Sequence, residues 1–182
     1  HQIYRYSNAS IVAFWDTCQS VVEAMYRRAS GSFGAHNEFA YGYGPIAGTD
    51  TEASYIELRG TGYRIWYPNL RWEQGERGNV EYYYDRPRGK NLVKTKVYGG
   101  AIAENTCQAI AFQLLMWQAC RMNEEGIHLI ANIHDAWLAC VPESKAQATM
   151  DAMTRIMSSV PPWLEGFPVA CEGEIGDSYE IA

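Results

Sequence analysis

The hydrophobic and polar positions near the start of the chain repeat with the period of an amphipathic helix. Apolar residues recur every three or four positions from Ile11 to Met25, which predicts one face packed against a core. Asn8 precedes this pattern as a candidate N-cap, and Gly31 follows it as a stop signal. We therefore predict a helix that runs from Asn8 through about Ser30.

Residues 101–125 are apolar around almost the whole helical circumference, which predicts a central and mostly buried helix that ends at Gly126. Three polar residues, Glu104, Asn105 and Gln108, share one side of its first turns because they are three and four positions apart. Amides in such a place need hydrogen-bond partners. They either bridge to nearby backbone or bind base edges and sugars in a nucleic-acid minor groove, and the pattern leaves both open.

Alternating apolar and polar residues predict two β-hairpins between these helices. The first joins residues 55–58 to residues 63–67 through a loop that contains two glycines. The second joins residues 80–84 to residues 92–97 through a basic turn at 85–90. Together they predict an antiparallel sheet.

The remaining segments carry weaker patterns. Residues 31–50 are rich in Gly, Ala and Tyr and are predicted to form a loop with a short strand near 38–41. Ser144 is expected to cap a second amphipathic helix, which two consecutive prolines stop. Residues 169–176 are predicted to form a final strand.

A third hairpin is predicted within residues 130–142, where two short apolar runs flank His134, Asp135 and Ala136. His134 and Asp135 would then lie at or beside its tip. A carboxylate in that position suits a hard cation such as Mg²⁺, which prefers oxygen ligands. Asp is also an ordinary turn residue, because its side chain hydrogen-bonds its own backbone, so this stretch alone leaves both interpretations open.

The composition is that of a globular protein of one domain. The chain has 182 residues, of which 47% are hydrophobic and 13% aromatic. No apolar run approaches the roughly 20 residues of a membrane span and no signal peptide opens the chain, so no membrane association is expected. Five cysteines without a C-x-x-C spacing argue against a zinc site and for reduced thiols in an intracellular protein.

The charge is unevenly distributed along the chain. The net charge is −6, but residues 59–96 hold nine of the fifteen basic residues against four acidic ones, a net charge of +5. Lys94 and Lys96 share one face of their predicted strand. A basic window in an acidic chain fits a polyanion bound at one place, although a solvated β-surface gives the same pattern.

Four stretches in this order resemble the C-terminal palm portion of family A DNA polymerases, particularly the phage-encoded branch. Residues 58–71 resemble the hairpin L-P-S-G-R-x-L-x-Y-P-N, and residues 98–111 resemble the helix Y-G-G-x-x-x-E-N-x-x-Q-A-x-A. Residues 133–136, Ile-His-Asp-Ala, resemble motif C, V-H-D-E, and residues 172–179 resemble the terminal segment that closes against the palm. The resemblance covers residues 1–182 as one domain segment.

The resemblance implies an α+β palm subdomain, an antiparallel sheet with the motif C hairpin packed on long helices and incomplete without an N-terminal half. Asp135 would be one of two aspartates that hold a pair of Mg²⁺ ions for nucleotidyl transfer. These ions would activate the primer 3′-hydroxyl, orient the triphosphate and neutralise charge on phosphorus. His134 would lie near the primer terminus.

The resemblance also implies residues that bind DNA. Gln108 would contact the primer–template minor groove behind the active site, at acceptor positions that all correct base pairs share. Asn105 is close to that role, although bacterial members have the asparagine one residue earlier. Lys94, Lys96 and Arg71, with the rest of the basic window, would contact backbone phosphates, which position the duplex without specifying its sequence.

Two departures from the family pattern matter. Ala136 stands where most members have Glu, and the chain has no D-Y-S-x-I-E-L-R stretch (motif A), no R-x₃-K-x₆-Y-G helix (motif B) and no exonuclease domain. We therefore expect polymerisation from deoxynucleoside triphosphates on primer–template DNA only with an N-terminal polypeptide that supplies both motifs, in the cytoplasm of an infected bacterium. That polypeptide is either a separately encoded subunit or the remainder of a chain that has been split or cut. The alternative is a non-catalytic DNA-binding or assembly subunit that keeps the palm fold.

Overall fold

The computed structural model describes residues 2–76 and 78–178. The fold is α+β, and among these residues the strands form three antiparallel sheets. The predicted mixed α+β class is therefore confirmed. Contacts divide the chain into two compact units, residues 1–110 and residues 111–182. No helix in the described ranges is long and apolar enough to cross a membrane.

The first unit opens with two helices and a four-stranded sheet. The helices are α1 (Gln2–Ser7) and α2 (Ala9–Tyr26). The strands follow one another in space in chain order, each antiparallel to the next: β1 (Gly31–Phe33), β2 (Phe39–Pro45), β3 (Glu52–Leu58) and β4 (Tyr63–Tyr67).

Helix α2 packs on β2 and β3 through its apolar face. The buried residues of that face are Cys18, Val21, Val22 and Met25. From the sheet, Ile56 and Leu58 are buried because they are two residues apart on one face of β3. Ser54 Oγ donates a hydrogen bond to the Met25 carbonyl oxygen at 2.9 Å, which satisfies a buried hydroxyl.

The first unit also contains a three-stranded sheet in the order β5 (Arg71–Gln74), β6 (Val80–Arg88) and β7 (Asn91–Val97). Strand β5 pairs with β6 only from Val80 to Tyr83, so the remainder of β6 and β7 continues as a two-stranded ribbon. At its base the Tyr67 and Tyr84 rings meet edge to face, with centroids 5.0 Å apart. We call residues 86–92 the ribbon tip.

The long helix α3 (Gly99–Glu124) begins against α2, and the unit boundary falls within it. The Gly99 backbone N–H donates to Gln19 Oε1 at 2.9 Å. A Cβ atom on Gly99 would lie only 2.2 Å from the Trp15 carbonyl oxygen. The first glycine of the Tyr-Gly-Gly sequence is therefore required by close packing of the two helices.

The second unit contains β8 (Leu129–Ile133), β9 (Ala136–Ala139), α4 (Glu143–Met157) and a 3₁₀ turn (Pro162–Leu164). Its core is Met122, Ile127 and Ile156, against which partly buried hydrophobic residues pack: Leu129, Trp137, Ala139, Ala152, Met153 and Met157. Gln118 Nε2 donates to the carbonyl oxygens of Met157 and Ser159, at 2.8 and 3.1 Å, and satisfies the end of α4.

The three predicted hairpins are confirmed, and α3 spans nearly the predicted residues. The first helix ends at Tyr26 instead of Ser30 because Arg28 turns into the left-handed region, with φ of 57°, and the chain then enters β1. Residues 85–88 belong to β6 instead of the turn, which is only Gly89 and Lys90. Residues 31–50 hold two strands, since β1 and β2 pair with each other.

Three further expectations are wrong. Ser144 does not cap α4, which begins at Glu143 after Pro142, a residue whose fixed φ ends the preceding segment. Residues 169–176 form no strand, because this segment lies against α4 instead of pairing, with Gly173 close to Met150 Sδ. Helix α3 is not mostly buried, since one side exposes Cys107, Gln108, Phe112 and Cys120.

Candidate functional site

The tip of the β8–β9 hairpin presents two exposed polar side chains. Ile133 pairs with Ala136, which leaves His134 and Asp135 as a two-residue loop. His134 has a φ of 56°, the left-handed conformation that such tight loops require. Asn132 Nδ2 donates to the Ala136 carbonyl oxygen at 3.1 Å and braces the loop. The sequence therefore predicted the position of this tip correctly.

Asp135 is exposed, and its carboxylate has no hydrogen bond or ion pair within residues 2–76 and 78–178. Below it, Trp137 and Leu129 anchor the hairpin on the core of the second unit. The buried Trp137 Nε1 atom has no acceptor in the same described ranges. The hairpin is therefore anchored on the core, and its tip exposes a carboxylate that has no partner among the described residues.

A divalent cation would find only part of its ligand set among the residues that the structure describes. Mg²⁺ binds six oxygen atoms, usually one or two carboxylates together with waters and substrate phosphates. Nowhere in the described part of the chain do three or more His, Cys, Asp or Glu side chains cluster as metal ligands. Asp135 fits the role of one carboxylate ligand, and the described residues supply no complete ligand set.

Asn105 and Gln108 lie in the first unit and have different surroundings. Asn105 is half-buried, and its Nδ2 donates to the Tyr67 hydroxyl at 3.0 Å. Burial raises the pKa of that tyrosine well above its ordinary value, so the hydroxyl stays protonated. Gln108 is exposed and donates from Nε2 to Glu104 Oε1 at 3.2 Å. Asn105 therefore has a structural partner, whereas Gln108 faces outward.

One face of the β5–β6–β7 sheet carries Lys94, Lys96 and Arg71 among an equal number of carboxylates. The pairing register places the following residues on this face: Arg71, Glu73, Glu81, Tyr83, Asp85, Lys94 and Lys96. Lys96 Nζ lies 2.6 Å from Glu81 Oε1, and Arg71 Nη1 lies 2.9 Å from Asp85 Oδ1. Lys94 forms an ion pair with Glu73 and lies over the Tyr83 ring. Three cations and three carboxylates leave no net charge.

These ion pairs hold the carboxylates in their charged form. Hydrogen bonds from Lys96 and Tyr83 lower the pKa of the Glu81 carboxyl to about 2. Hydrogen bonds from Asn69 and Arg71 lower the pKa of Asp85. The sequence reasoning counted the cations of this face as available, but it missed their partners because residue spacing alone does not give the strand register.

The ribbon tip has a different charge environment. Arg86, Arg88 and Lys90 are exposed, and none has a carboxylate within 4.0 Å in residues 2–76 and 78–178. Sequence reasoning grouped these residues with the rest of the basic window. The chain has no Asp or Glu between Asp85 and Glu104, but that interval also holds Lys94 and Lys96, so only the strand register distinguishes the free cations from the paired ones.

Comparison with known proteins gives one informative relationship. No family profile and no solved structure matches this chain. A curated protein described as the DNA polymerase of Bacillus phage SP02 is 26% identical over 180 residues, an alignment that covers 97% of this chain and 26% of that protein. The chain thus spans about a quarter of the length of the relative. This match supports a relationship between the chain and a phage DNA polymerase.

Proposed function

We propose that this chain is the C-terminal palm segment of a phage-type family A DNA polymerase, a single domain segment over residues 1–182. The observation that carries the proposal is the exposed Asp135 carboxylate at an anchored hairpin tip, without a partner in the described chain. The similarity to a phage DNA polymerase over almost the whole chain supports the same assignment.

In this proposal Asp135 contributes one carboxylate oxygen to a site for two Mg²⁺ ions. When bound, these ions activate the primer 3′-hydroxyl and stabilise the negative charge that develops during phosphoryl transfer. The two-residue loop carries the carboxylate, and the exposed His134 beside it would lie near the primer terminus. A second aspartate and the residues that grip the deoxynucleoside triphosphate come from an N-terminal polypeptide with motifs A and B.

The proposed DNA contacts lie in the first unit. Gln108 can offer its second N–H donor and its amide oxygen to the minor groove while the first N–H bonds Glu104. Asn105 is a second candidate, although the Tyr67 hydroxyl now occupies its amide. Lys94, Lys96 and Arg71 are candidates for phosphate contacts, although each already pairs with a carboxylate. The enzyme would act on primer–template DNA in the cytoplasm of an infected bacterium.

A second candidate is a non-catalytic subunit that binds DNA or assists assembly. Ala136 favours it, because this position follows Asp135 directly and carries no carboxylate. The two candidates differ in whether loss of the Asp135 carboxylate lowers the rate of primer extension. A catalytic segment requires that it does, and a non-catalytic subunit requires that it does not.

Asp135→Asn in the reconstituted enzyme tests the proposal. Extension of a primer with Mg²⁺ should fall by about 1000-fold or more, because metal-held charge stabilisation contributes several kcal/mol and each 1.4 kcal/mol is tenfold in rate. DNA affinity and thermal unfolding should not change. Asp50→Asn, at another exposed turn, is the matched control and should keep full activity.

Two results would contradict the catalytic proposal. Extension by the Asp135→Asn enzyme within about threefold of the native rate, a difference of only ~0.7 kcal/mol, would remove Asp135 from the metal site. DNA binding by the native complex with no extension under any condition would favour the non-catalytic subunit.

A further inference from the structure

The cations of the β5–β6–β7 sheet fall into two groups that differ in their partners. Arg71, Lys94 and Lys96 each hold a carboxylate. Arg86, Arg88 and Lys90 are exposed at the ribbon tip and hold none within the described ranges. A cation that is already paired contributes less to counterion release on phosphate binding, because a carboxylate already neutralises part of its charge.

The fold itself keeps the ribbon tip free of carboxylates. Strand β5, which supplies Glu73, pairs with β6 only as far as Tyr83 and does not reach the tip. Asp85 lies on the opposite face from Arg86, because successive side chains of a strand point to opposite faces. Along the chain, the next acidic residue after Asp85 is Glu104.

The tip cations form a line. Arg86 and Arg88 share one face of β6, about 7 Å apart since each residue of a strand rises by ~3.4 Å. Val93 and Asn91 lie opposite them on β7. Gly89, with φ of 60°, closes the turn in two residues and places Lys90 at the end of the same ribbon.

A line of three cations suits a polyanion with regularly spaced charges better than a single small anion. A guanidinium presents two parallel N–H donors that match two phosphate oxygens, and its charge persists at every relevant pH. A groove lined by Arg86, Arg88, Val93 and Thr95 has no carboxylate that would repel a phosphate. The ribbon therefore offers phosphate recognition without base recognition.

We propose that the ribbon tip, through Arg86, Arg88 and Lys90, binds the phosphate backbone of duplex DNA. It supplies more of the salt-dependent affinity than Arg71, Lys94 and Lys96 do. The proposal rests on the proposed polymerase function and adds the part of the chain that holds the duplex. Its physical basis is counterion release, which requires cations that are not already neutralised by the protein.

The test is the salt dependence of DNA binding by the reconstituted enzyme. The probe is a fluorescein-labelled duplex with a recessed 3′ end, measured by anisotropy between about 50 and 200 mM salt, the range over which phosphate contacts change affinity most clearly. The tip variant is Arg86→Gln, Arg88→Gln, Lys90→Gln. The control variant is Arg5→Gln, Arg27→Gln, Lys145→Gln, which removes the same charge from exposed positions elsewhere.

The tip variant should reduce the slope of log K against log salt by about 2.7, since each phosphate contact contributes about 0.9. The control variant should keep the native slope. The variant Arg71→Gln, Lys94→Gln, Lys96→Gln should lose less slope than the tip variant. Circular dichroism establishes that each variant is folded before binding is measured.

Several outcomes would overturn the assignment. An unchanged slope for the tip variant, or a larger loss for the ion-paired set, removes the ribbon tip while leaving the polymerase proposal intact. Binding of polyglutamate as tightly as duplex DNA identifies a surface for acidic protein instead of nucleic acid. Failure of the native enzyme both to bind duplex and to extend a primer overturns the polymerase function, and the tip assignment with it.

Discussion

His134 holds a backbone conformation that residues with side chains seldom adopt. Its φ of 56° places a β-carbon close to the following carbonyl group, at a cost of about 1–2 kcal/mol. Such strain persists where surrounding structure imposes it, here the pairing of Ile133 with Ala136. The loop therefore holds Asp135 at the hairpin tip at the cost of backbone strain in His134.

Replacement of His134 by glycine should relieve this strain. Glycine also raises the entropy of the unfolded chain, which costs about 0.4–1 kcal/mol, so the net gain in unfolding free energy should be about 0.5 kcal/mol. Urea denaturation measures it. His128→Gly, at an exposed position without positive φ, is the control. It should lose about 0.4–1 kcal/mol of unfolding free energy, because it has the entropic cost without the relief of strain. A loss at His134 equal to the loss at His128 would mean that the loop is unstrained.

At the scale of elements, the two adjacent glycines at the start of α3 differ in what an added Cβ atom would meet. Gly99→Ala places a Cβ 2.2 Å from the Trp15 carbonyl oxygen, a backbone atom that cannot move alone. Gly100→Ala meets the ring of Tyr98, an exposed residue (53%) whose side chain can turn away. We expect Gly99→Ala to lower the free energy of unfolding by about 1–3 kcal/mol or more.

Gly100→Ala should leave stability unchanged or raise it by up to about 1 kcal/mol, because alanine favours helix. Thermal and urea unfolding of the two variants measure the difference. Equal free energies of unfolding for the two variants would show that α2 and α3 can move apart at this point without loss of stability.

The charged face of the β5–β6–β7 sheet predicts acid sensitivity. The pKa of Glu81 is about 2 in the folded chain against an ordinary value of 4.5, so the unfolded chain binds more protons between these values. The stabilisation is therefore present above pH 4.5 and is lost as the pH falls toward 2. Urea denaturation across this range should show stability falling with pH.

Glu81→Gln should flatten that pH dependence, although part will remain through Asp85, whose pKa is lowered too. Glu165→Gln, an exposed side chain without an ion pair in the described part of the chain, serves as control. An unchanged pH profile in Glu81→Gln would mean that the pair with Lys96 does not persist in solution.

The elements that sequence predicted well are those specified by neighbouring residues. The hairpin at His134 and Asp135 needs only two apolar runs and a short polar loop, and it formed as predicted. Strand β5 was not predicted, because four residues of alternating character extend only when β6 is beside them. Residues 169–176 have strand-like composition, yet contacts with α4 determine their path.

At the scale of the whole molecule, long-range pairing decides which predicted site residues are available. Lys94 meets Glu73 and Lys96 meets Glu81 only because the strand register brings them together. The sequence therefore predicted the basic window but could not divide it into neutralised and free cations. The Asp135 tip was predictable, since its exposure follows from a local turn.

The proposed function assigns only one of two metal-binding aspartates to this chain, so this chain should be inactive alone. Primer extension with Mg²⁺ should appear only after co-expression with the polypeptide that carries motifs A and B. Extension by this chain alone, abolished by Asp135→Asn, would show that it holds a complete metal site and would contradict the two-part proposal.

The ribbon has a consequence for self-association. From Arg86 onward β6 pairs only with β7, so among the described strands its outer edge exposes backbone groups that could pair with a second copy. Pro87 removes one N–H donor from that edge, and the tip cations repel the same cations on another molecule. The residues proposed to attract phosphate would thus also discourage edge-to-edge aggregation.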